Sequence, residues 1–296
     1  MTTAKLHADE TLTSASLVRA LLAAQLPQWA GLPLTPVDDS TGTSNTMYRL
    51  GEDLVVRLPR TPGAALDVPR EHHWLPRLAA RLPVAVPAPL GLGAPGEGYP
   101  FAWSVYRWLP GEPPTVGRIP APDLLAADLA DFLTALHGLD PTGAPPAWRA
   151  ETLASRDAAT RAAITKVHGL IDTHAATARW NTALRAPART AAPVWIHADL
   201  QPGNVLLADG RLSAVIDFGC AGLGDPAVDL IAAWYLLPAE ARTLFRTRAG
   251  ADDATWLRAQ GWTLSIALDE LWYYLHTSPA KAELARVVIG ELLADD

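Results

Sequence analysis

The sequence predicts an α+β chain: a small strand-rich N-terminal part over residues 1–107 and a larger, mainly helical part over residues 108–296. Three observations carry this. Between Val37 and Pro59 apolar and polar residues alternate with period two, interrupted by turn residues. From Pro122 onward leucines and alanines recur at helical spacing in successive segments. Within NVLLADGRLSAVID, residues 204–217, Asp209-Gly210 stands between two apolar runs, which is a hairpin signal.

Residues 11–26 place Leu17, Val18, Leu21, Leu22 and Leu26 on one helix face, with Ser14 or Ser16 available as cap and Pro27 as terminator. VDDSTGTSNTMYRL and DLVVRLP then read as strand, small-residue loop, strand, turn and strand. In the last of these, alternation sets Val55 and Arg57 on one face and Leu54, Val56 and Leu58 on the other. VPREHHWLPRLAARL reads as a helix with Pro69 in its first turn and an apolar stripe of Trp74, Leu75, Leu78 and Leu82. His72 and His73 have no partner at metal-ligand spacing and read as surface or capping residues. FAWSVYRWL is a further strand, followed by a Pro- and Gly-rich linker.

PDLLAADLADFLTALHGL sets Leu124, Leu125, Leu129, Phe132, Leu133 and Leu136 at helical spacing. Residues 150–185 give one or two amphipathic helices, and several more follow Asp229, with Asp252 as the cap of one. No internal repeat is visible.

Charge and composition exclude several classes. Residues 1–107 carry nine Lys+Arg and nine Asp+Glu, so the net charge of −7 lies wholly in residues 108–296. Such an acidic part is a poor nucleic-acid binder but can attract a cationic small molecule. No apolar run is long enough to span a membrane, and MTTAKLHADE lacks the apolar stretch of a signal peptide. With Cys220 alone there is no intramolecular disulfide, and Cys220 itself reads as a small buried residue. The expectation is a cytoplasmic monomer or homodimer that binds neither membrane nor nucleic acid.

The chemistry concentrates between His197 and Asp229. His197, Asp199 and Asn204 share the loop HADLQPGN, and the hairpin that follows delivers Asp217, which closes the apolar run LSAVI where no turn acid is required. A proton acceptor with two hard oxygen ligands for Mg2+ is the set phosphoryl transfer needs, since that reaction rests on positioning and charge neutralisation.

The order H-x-D-x-x-x-x-N followed by Asp217-Phe218-Gly219 resembles the catalytic core of protein kinases. With Pro202-Gly203 before Asn204 and DPAxDL from Asp225 to Leu230, it resembles more closely the aminoglycoside phosphotransferase family. The resemblance implies a bilobal protein-kinase-like fold that moves the γ-phosphate of ATP or GTP to a hydroxyl. It implies that Asp199 accepts or orients the hydroxyl proton and that Asn204 and Asp217 hold Mg2+. His197, Asp225 and Asp229 then support the loop.

The loop Ser40, Thr41, Gly42, Thr43 and Ser44 would lie over the nucleotide phosphates, although it lacks GxGxxG. Arg57 stands where these enzymes carry a phosphate-binding lysine, and Glu71 would pair with it. The backbone of Val105, Tyr106 and Arg107 would meet the adenine edge. Asp157, Asp269 and Glu270 are candidate ligands of a cationic acceptor, with Trp234, Trp272 and Tyr273 as aromatic walls. The same residues leave open a metabolite kinase of choline or homoserine type. The missing lysine leaves open a nucleotide-binding pseudokinase.

Overall fold

The computed structural model describes residues 11–37, 44–115 and 117–295. The chain divides into two compact units, residues 1–111 with 213–219, and residues 112–212 with 220–296.

In the first unit, helix α1 (Ala15–Gln25) starts where Ser14 Oγ accepts the Leu17 amide. It buries Val18, Leu21 and Leu22, the i, i+3, i+4 stripe. These pack on a five-stranded antiparallel sheet in the order β1-β2-β3-β5-β4. The strands are β1 (Leu34–Pro36), β2 (Asn45–Leu50), β3 (Leu54–Pro59), β4 (Pro89–Gly93) and β5 (Trp103–Arg107). The β2–β3 turn passes through Gly51 at φ +60°. Alternation along β3 sends Val56 and Leu58 into the core with Tyr48, Leu50, Trp103 and Val105. Arg57 therefore emerges on the opposite face.

Between β3 and β4 run α2 (Pro62–Ala65) and α3 (Asp67–Ala79). The buried face of α3 is Val68, Glu71, Leu75 and Leu78. That corrects the stripe expected from spacing: Trp74 lies at its margin and Leu82 falls beyond the helix end. Glu71 is on the buried face because Arg57 neutralises it there, a pairing that hydrophobic periodicity does not report. Pro76 sits inside α3, where it has no N–H to donate to the carbonyl one turn earlier.

The second unit is mainly helical. Its helices are α4 (Pro122–His137), α5 (Asp157–Lys166), α6 (Thr173–Arg185), α7 (Ala232–Tyr235), α8 (Ala239–Arg248), α9 (Asp253–Tyr274) and α10 (Pro279–Ala294). Leu125, Leu129, Phe132, Leu133 and Leu136 of α4 are buried, whereas Leu124 is exposed at its rim. Asp252 caps α9 by accepting from the Thr255 amide. Every residue of α9 from Arg258 to Leu268 is buried, because the helix is packed by α5, α6 and α10 together. No helix among the described residues is long and apolar enough to cross a membrane.

Four short strands carry the motif. β6 (Val194–Ile196) pairs antiparallel with β9 (Gly222–Gly224). β7 (Val205–Ala208) and β8 (Arg211–Val215) form a two-stranded hairpin. Its turn has Asp209 at φ +52° and Gly210 at φ +76°, as a two-residue hairpin loop demands. Along this hairpin the chain passes from the second unit into the first unit's segment Ser213–Gly219. Gly222 is required by close approach: a Cβ there would lie 2.6 Å from Pro145 O and from Ala147 N.

Candidate active site

In the first unit the structure brings Arg57, Glu71 and Asp217 together. Arg57 Nη1 donates to both carboxylate oxygens of Glu71 at 2.8 and 2.7 Å, and Nη2 donates to Asp217 Oδ1 at 2.9 Å. One planar fork thus reaches two acids from two directions, which the single ammonium of a lysine does less rigidly. Tyr106 donates its hydroxyl to Glu71 Oε2. Burial would lower the basicity of the Arg57 guanidinium, but the flanking Glu71 and Asp217 outweigh it and raise its pKa well above the ordinary value. For the Tyr106 phenol burial and the Glu71 charge act together, and both push its pKa up.

Asp217 sits at φ +61°, a left-handed conformation uncommon for a residue with a side chain, and its carboxylate stays 44% exposed. Two residues on, a Cβ at Gly219 would lie 2.7 Å from Asp67 Oδ2, so a side chain is excluded there. Burial raises the Asp67 pKa to about 6 despite the nearby Arg57.

Ser44 is exposed, and its carbonyl accepts the Arg60 amide at 2.9 Å. Ser40, Thr41, Gly42 and Thr43 lie outside the described residues. Val105, Tyr106 and Arg107 are within β5, whose ladder places β3 on one side and β4 on the other. Val105 and Tyr106 are buried, while Arg107 is exposed and ends the strand.

In the second unit the loop after β6 is built around one turn. Ala198 lies at φ +67°. Asp229, fully buried, accepts the His197 amide at 3.0 Å and the Ala198 amide at 2.8 Å, and His137 Nε2 lies 3.0 Å from its Oδ2. His197 is itself buried, and its Nδ1 accepts the Asp199 amide at 3.3 Å, so the ring proton sits on Nε2. Asp225 caps the following 3-10 turn through the Ala227 amide and accepts a two-pronged contact from Arg258 at 2.7 and 3.2 Å.

The resulting loop holds Asp199 at both oxygens. Asn204 Nδ2 donates to Asp199 O at 2.8 Å and to Oδ2 at 2.9 Å. Gln201 Nε2 and Arg149 Nη1 donate to Oδ1 at 3.3 and 3.2 Å. A carboxylate fixed in this way presents a defined edge to an incoming hydroxyl. Because Asn204 turns its amide nitrogen to Asp199, its amide oxygen is left as the hard donor.

Asp229→Ala should strip two buried amides of their acceptor at once. The expected cost is about 3 kcal/mol in urea unfolding, in line with removal of one member of a buried charged network. A cost below about 1 kcal/mol would mean the loop is held by other contacts.

The acceptor candidates have separate surroundings. Glu270 of α9 accepts from Gln201 Nε2 at 2.6 Å and from the Tyr235 hydroxyl at 2.6 Å, which links it to Asp199 through Gln201. Burial raises its pKa. Asp269, one residue away, instead pairs with Arg156 at 2.6 Å and stays half exposed. Asp157 accepts from Trp180 Nε1 at 2.7 Å and pairs with Arg161 on its own helix. Trp234 is 2% exposed and donates its indole N–H to Asp295 at 2.6 Å. Trp272 and Tyr273 are exposed, and Lys166 lies over the Trp272 ring. Glu270 is thus brought to Asp199, and Asp157 and Trp234 are engaged in packing.

Sequence reading singled out neither Arg149 nor Gln201. Gln201 lies inside the motif, where its position between Asp199 and Pro202 was the available signal. Arg149 comes from a Pro-rich stretch fifty residues upstream and carries none.

Asp217 in the first unit offers a partly exposed carboxylate and Asn204 in the second an amide oxygen, each by itself a hard oxygen of the kind magnesium takes. Among the described residues no group of three or more His, Cys, Asp or Glu could hold a metal.

Comparison with known proteins places this geometry. No curated protein matches the sequence significantly. The wild-type aminoglycoside 2′-phosphotransferase-IIIa in its GDP complex is similar at 22% identity and TM-score 0.75, covering 96% of this chain and 99% of that one. The GDP and kanamycin complex of APH(2″)-IIIa is similar at 21% identity and TM-score 0.73, over 94% and 99% of the two chains. Macrolide 2′-phosphotransferase MphH from Brachybacterium faecium follows at 23% identity and TM-score 0.61, over 95% and 98%. These likenesses establish the fold, a mixed α+β architecture with a five-stranded antiparallel sheet and a helical C-terminal part. The model of the phosphotransferase enzyme family, APH, matches residues 37–262, more than half the chain. The chain belongs to the APH phosphotransferase enzyme family.

Proposed function

We propose that this protein is a cytoplasmic, Mg2+-dependent small-molecule kinase that moves the γ-phosphoryl group of ATP or GTP to a hydroxyl of an aminoglycoside or related antibiotic. The single observation that supports it best is the Asp199 carboxylate, held at both oxygens on a strained turn that Asp229 fixes from the other side. Similar structures were obtained with GDP and kanamycin, which supports a nucleotide donor and a polyhydroxylated acceptor here. In this reading Asp199 orients the acceptor hydroxyl and takes its proton as the bond to phosphorus forms. Asn204 and Asp217 would hold the magnesium ion, which supplies neutralisation of phosphate charge when bound. Residues 1–107 would bind the nucleotide, through Arg57, Glu71, the Ser40–Ser44 loop and the backbone at the end of β5. Residues 108–296 would carry the acceptor, with Asp269, Glu270, Trp272 and Tyr273 as its nearest candidate contacts. A screen of nucleotide consumption over antibiotics and hydroxylated metabolites, with Asp199→Ala alongside, tests the reading. A metabolite acceptor of choline or homoserine type would correct the substrate but not the reaction.

Arg57 is the one feature favouring a pseudokinase. If it contacts the donor phosphates, Arg57→Ala should raise the nucleotide KM about tenfold, or about 1.4 kcal/mol. Arg57→Lys should keep much of the activity, because an ammonium can still reach Glu71 or a phosphate. An alanine variant with unchanged KM would confine Arg57 to holding Glu71 and Asp217 in place.

A further inference from the structure

Arg149 is used by no motif, yet it is built into the second unit from both ends. Its segment lies along β9 as an added edge: Leu223 N donates to Pro145 O at 2.8 Å, and Ala147 N donates to Leu223 O at 3.0 Å. Trp148 N donates to Cys220 O at 3.0 Å, immediately beyond Phe218-Gly219. This close apposition is what forbids a side chain at Gly222. The backbone that precedes Arg149 is therefore fixed before its side chain is considered.

The side chain then turns into the loop after β6. Nη1 donates to the carbonyl of Ala198 and, at 3.2 Å, to Asp199 Oδ1. Its side chain is only 17% exposed. Ala198 is the strained residue of the loop, held through its amide by Asp229 Oδ1 and through its carbonyl by Arg149. A left-handed alanine is disfavoured by its own Cβ and persists only where its surroundings enforce it. Two charged groups, one on each of the two peptides that flank Ala198, are such surroundings. Burial would lower the Arg149 pKa, and the carboxylates of Asp199 and Glu270 reverse that and raise it.

We infer that Arg149 is the positioning residue of the catalytic loop: it locks the Ala198 turn and thereby sets the position from which the Asp199 carboxylate meets the acceptor hydroxyl. It acts through Asp199 and touches no phosphate. Glu270 and Gln201 complete the arrangement from the α9 side, since Gln201 bridges Glu270 Oε1 and Asp199 Oδ1.

The turnover arm of the test rests on the phosphotransfer reading, and the second arm does not. Full-length Arg149→Ala and Arg149→Lys are compared with the wild type in steady-state transfer, and by hydrogen exchange over residues 197–204 without ligand. The expected result for Arg149→Ala is a kcat lower by about 30- to 100-fold with acceptor and nucleotide KM within about threefold, the signature of misplaced chemistry. Arg149→Lys or added guanidinium should restore part of the loss, since either returns a cationic donor to the carbonyl and carboxylate. Exchange should accelerate in 197–204 and stay unchanged in α4. Unchanged exchange over 197–204 overturns the inference, whatever the activity. So does a kcat within threefold of wild type, or a loss that neither lysine nor guanidinium restores and that accompanies faster exchange throughout α4. A wild type that transfers phosphate to no acceptor refutes the phosphotransfer reading, and the exchange arm still decides the clamp.

Discussion

Asp199→Ala should lose about a thousandfold or more in kcat while binding nucleotide as tightly as the wild type, since a positioned general base contributes about 10²–10⁴. The size follows from what the residue does in the loop. Its carboxylate gathers donors from Arg149, Gln201 and Asn204, so its removal leaves three donors without their common partner and, on the proposed reading, deletes the acceptor of the hydroxyl proton. None of these contacts belongs to the cluster around Arg57, which is why nucleotide affinity should not follow kcat. Asp199→Asn separates the effects of charge and shape, because the amide preserves volume but cannot take a proton. Steady-state kinetics with calorimetric nucleotide binding checks both parts. A fall in kcat below about tenfold would assign the proton to another group.

On the proposed reading of Asp217 as a magnesium ligand, Asp217→Ala should abolish magnesium-dependent nucleotide binding, with affinity falling by about a hundredfold or more. Two changes coincide in this variant. The best hard-oxygen ligand of the first unit disappears, and the Arg57 Nη2 group loses its carboxylate and keeps only Glu71 on the other nitrogen. The variant should therefore also bind nucleotide equally poorly with and without magnesium. Titration of the variant in magnesium and in a chelator checks this. A magnesium effect as large as that of the wild type would remove Asp217 from the metal site.

Much of this was readable from residue order. Asp209-Gly210 between apolar runs gave the hairpin, because that signal is local. The α1 and α9 caps at Ser14 and Asp252 were legible for the same reason: a cap speaks to an amide three residues away. What escaped was set by distance in sequence. Arg149 meets Asp199 across fifty residues, and no periodicity reports that contact. The Glu71–Arg57 pair was expected from the family resemblance, and it is this pairing that puts an acid on the buried face of α3 against the polarity pattern. Leu124 lies at helical spacing and is nonetheless exposed, since spacing defines a face but not how wide its neighbours cover it. The candidate acids diverge likewise: Asp269 and Glu270 are adjacent in the chain but meet different partners, as consecutive helical residues must.

The central claim is that this chain joins phosphate to a hydroxyl of a small molecule, and phosphorus NMR of the wild type with Mg-ATP or Mg-GTP and a panel of hydroxylated acceptors tests it most directly. A new phosphate monoester resonance is expected on one class of acceptor, growing as the γ-phosphate signal falls and absent with Asp199→Asn. Nucleotide that remains intact with every acceptor, or that yields only inorganic phosphate, would contradict it.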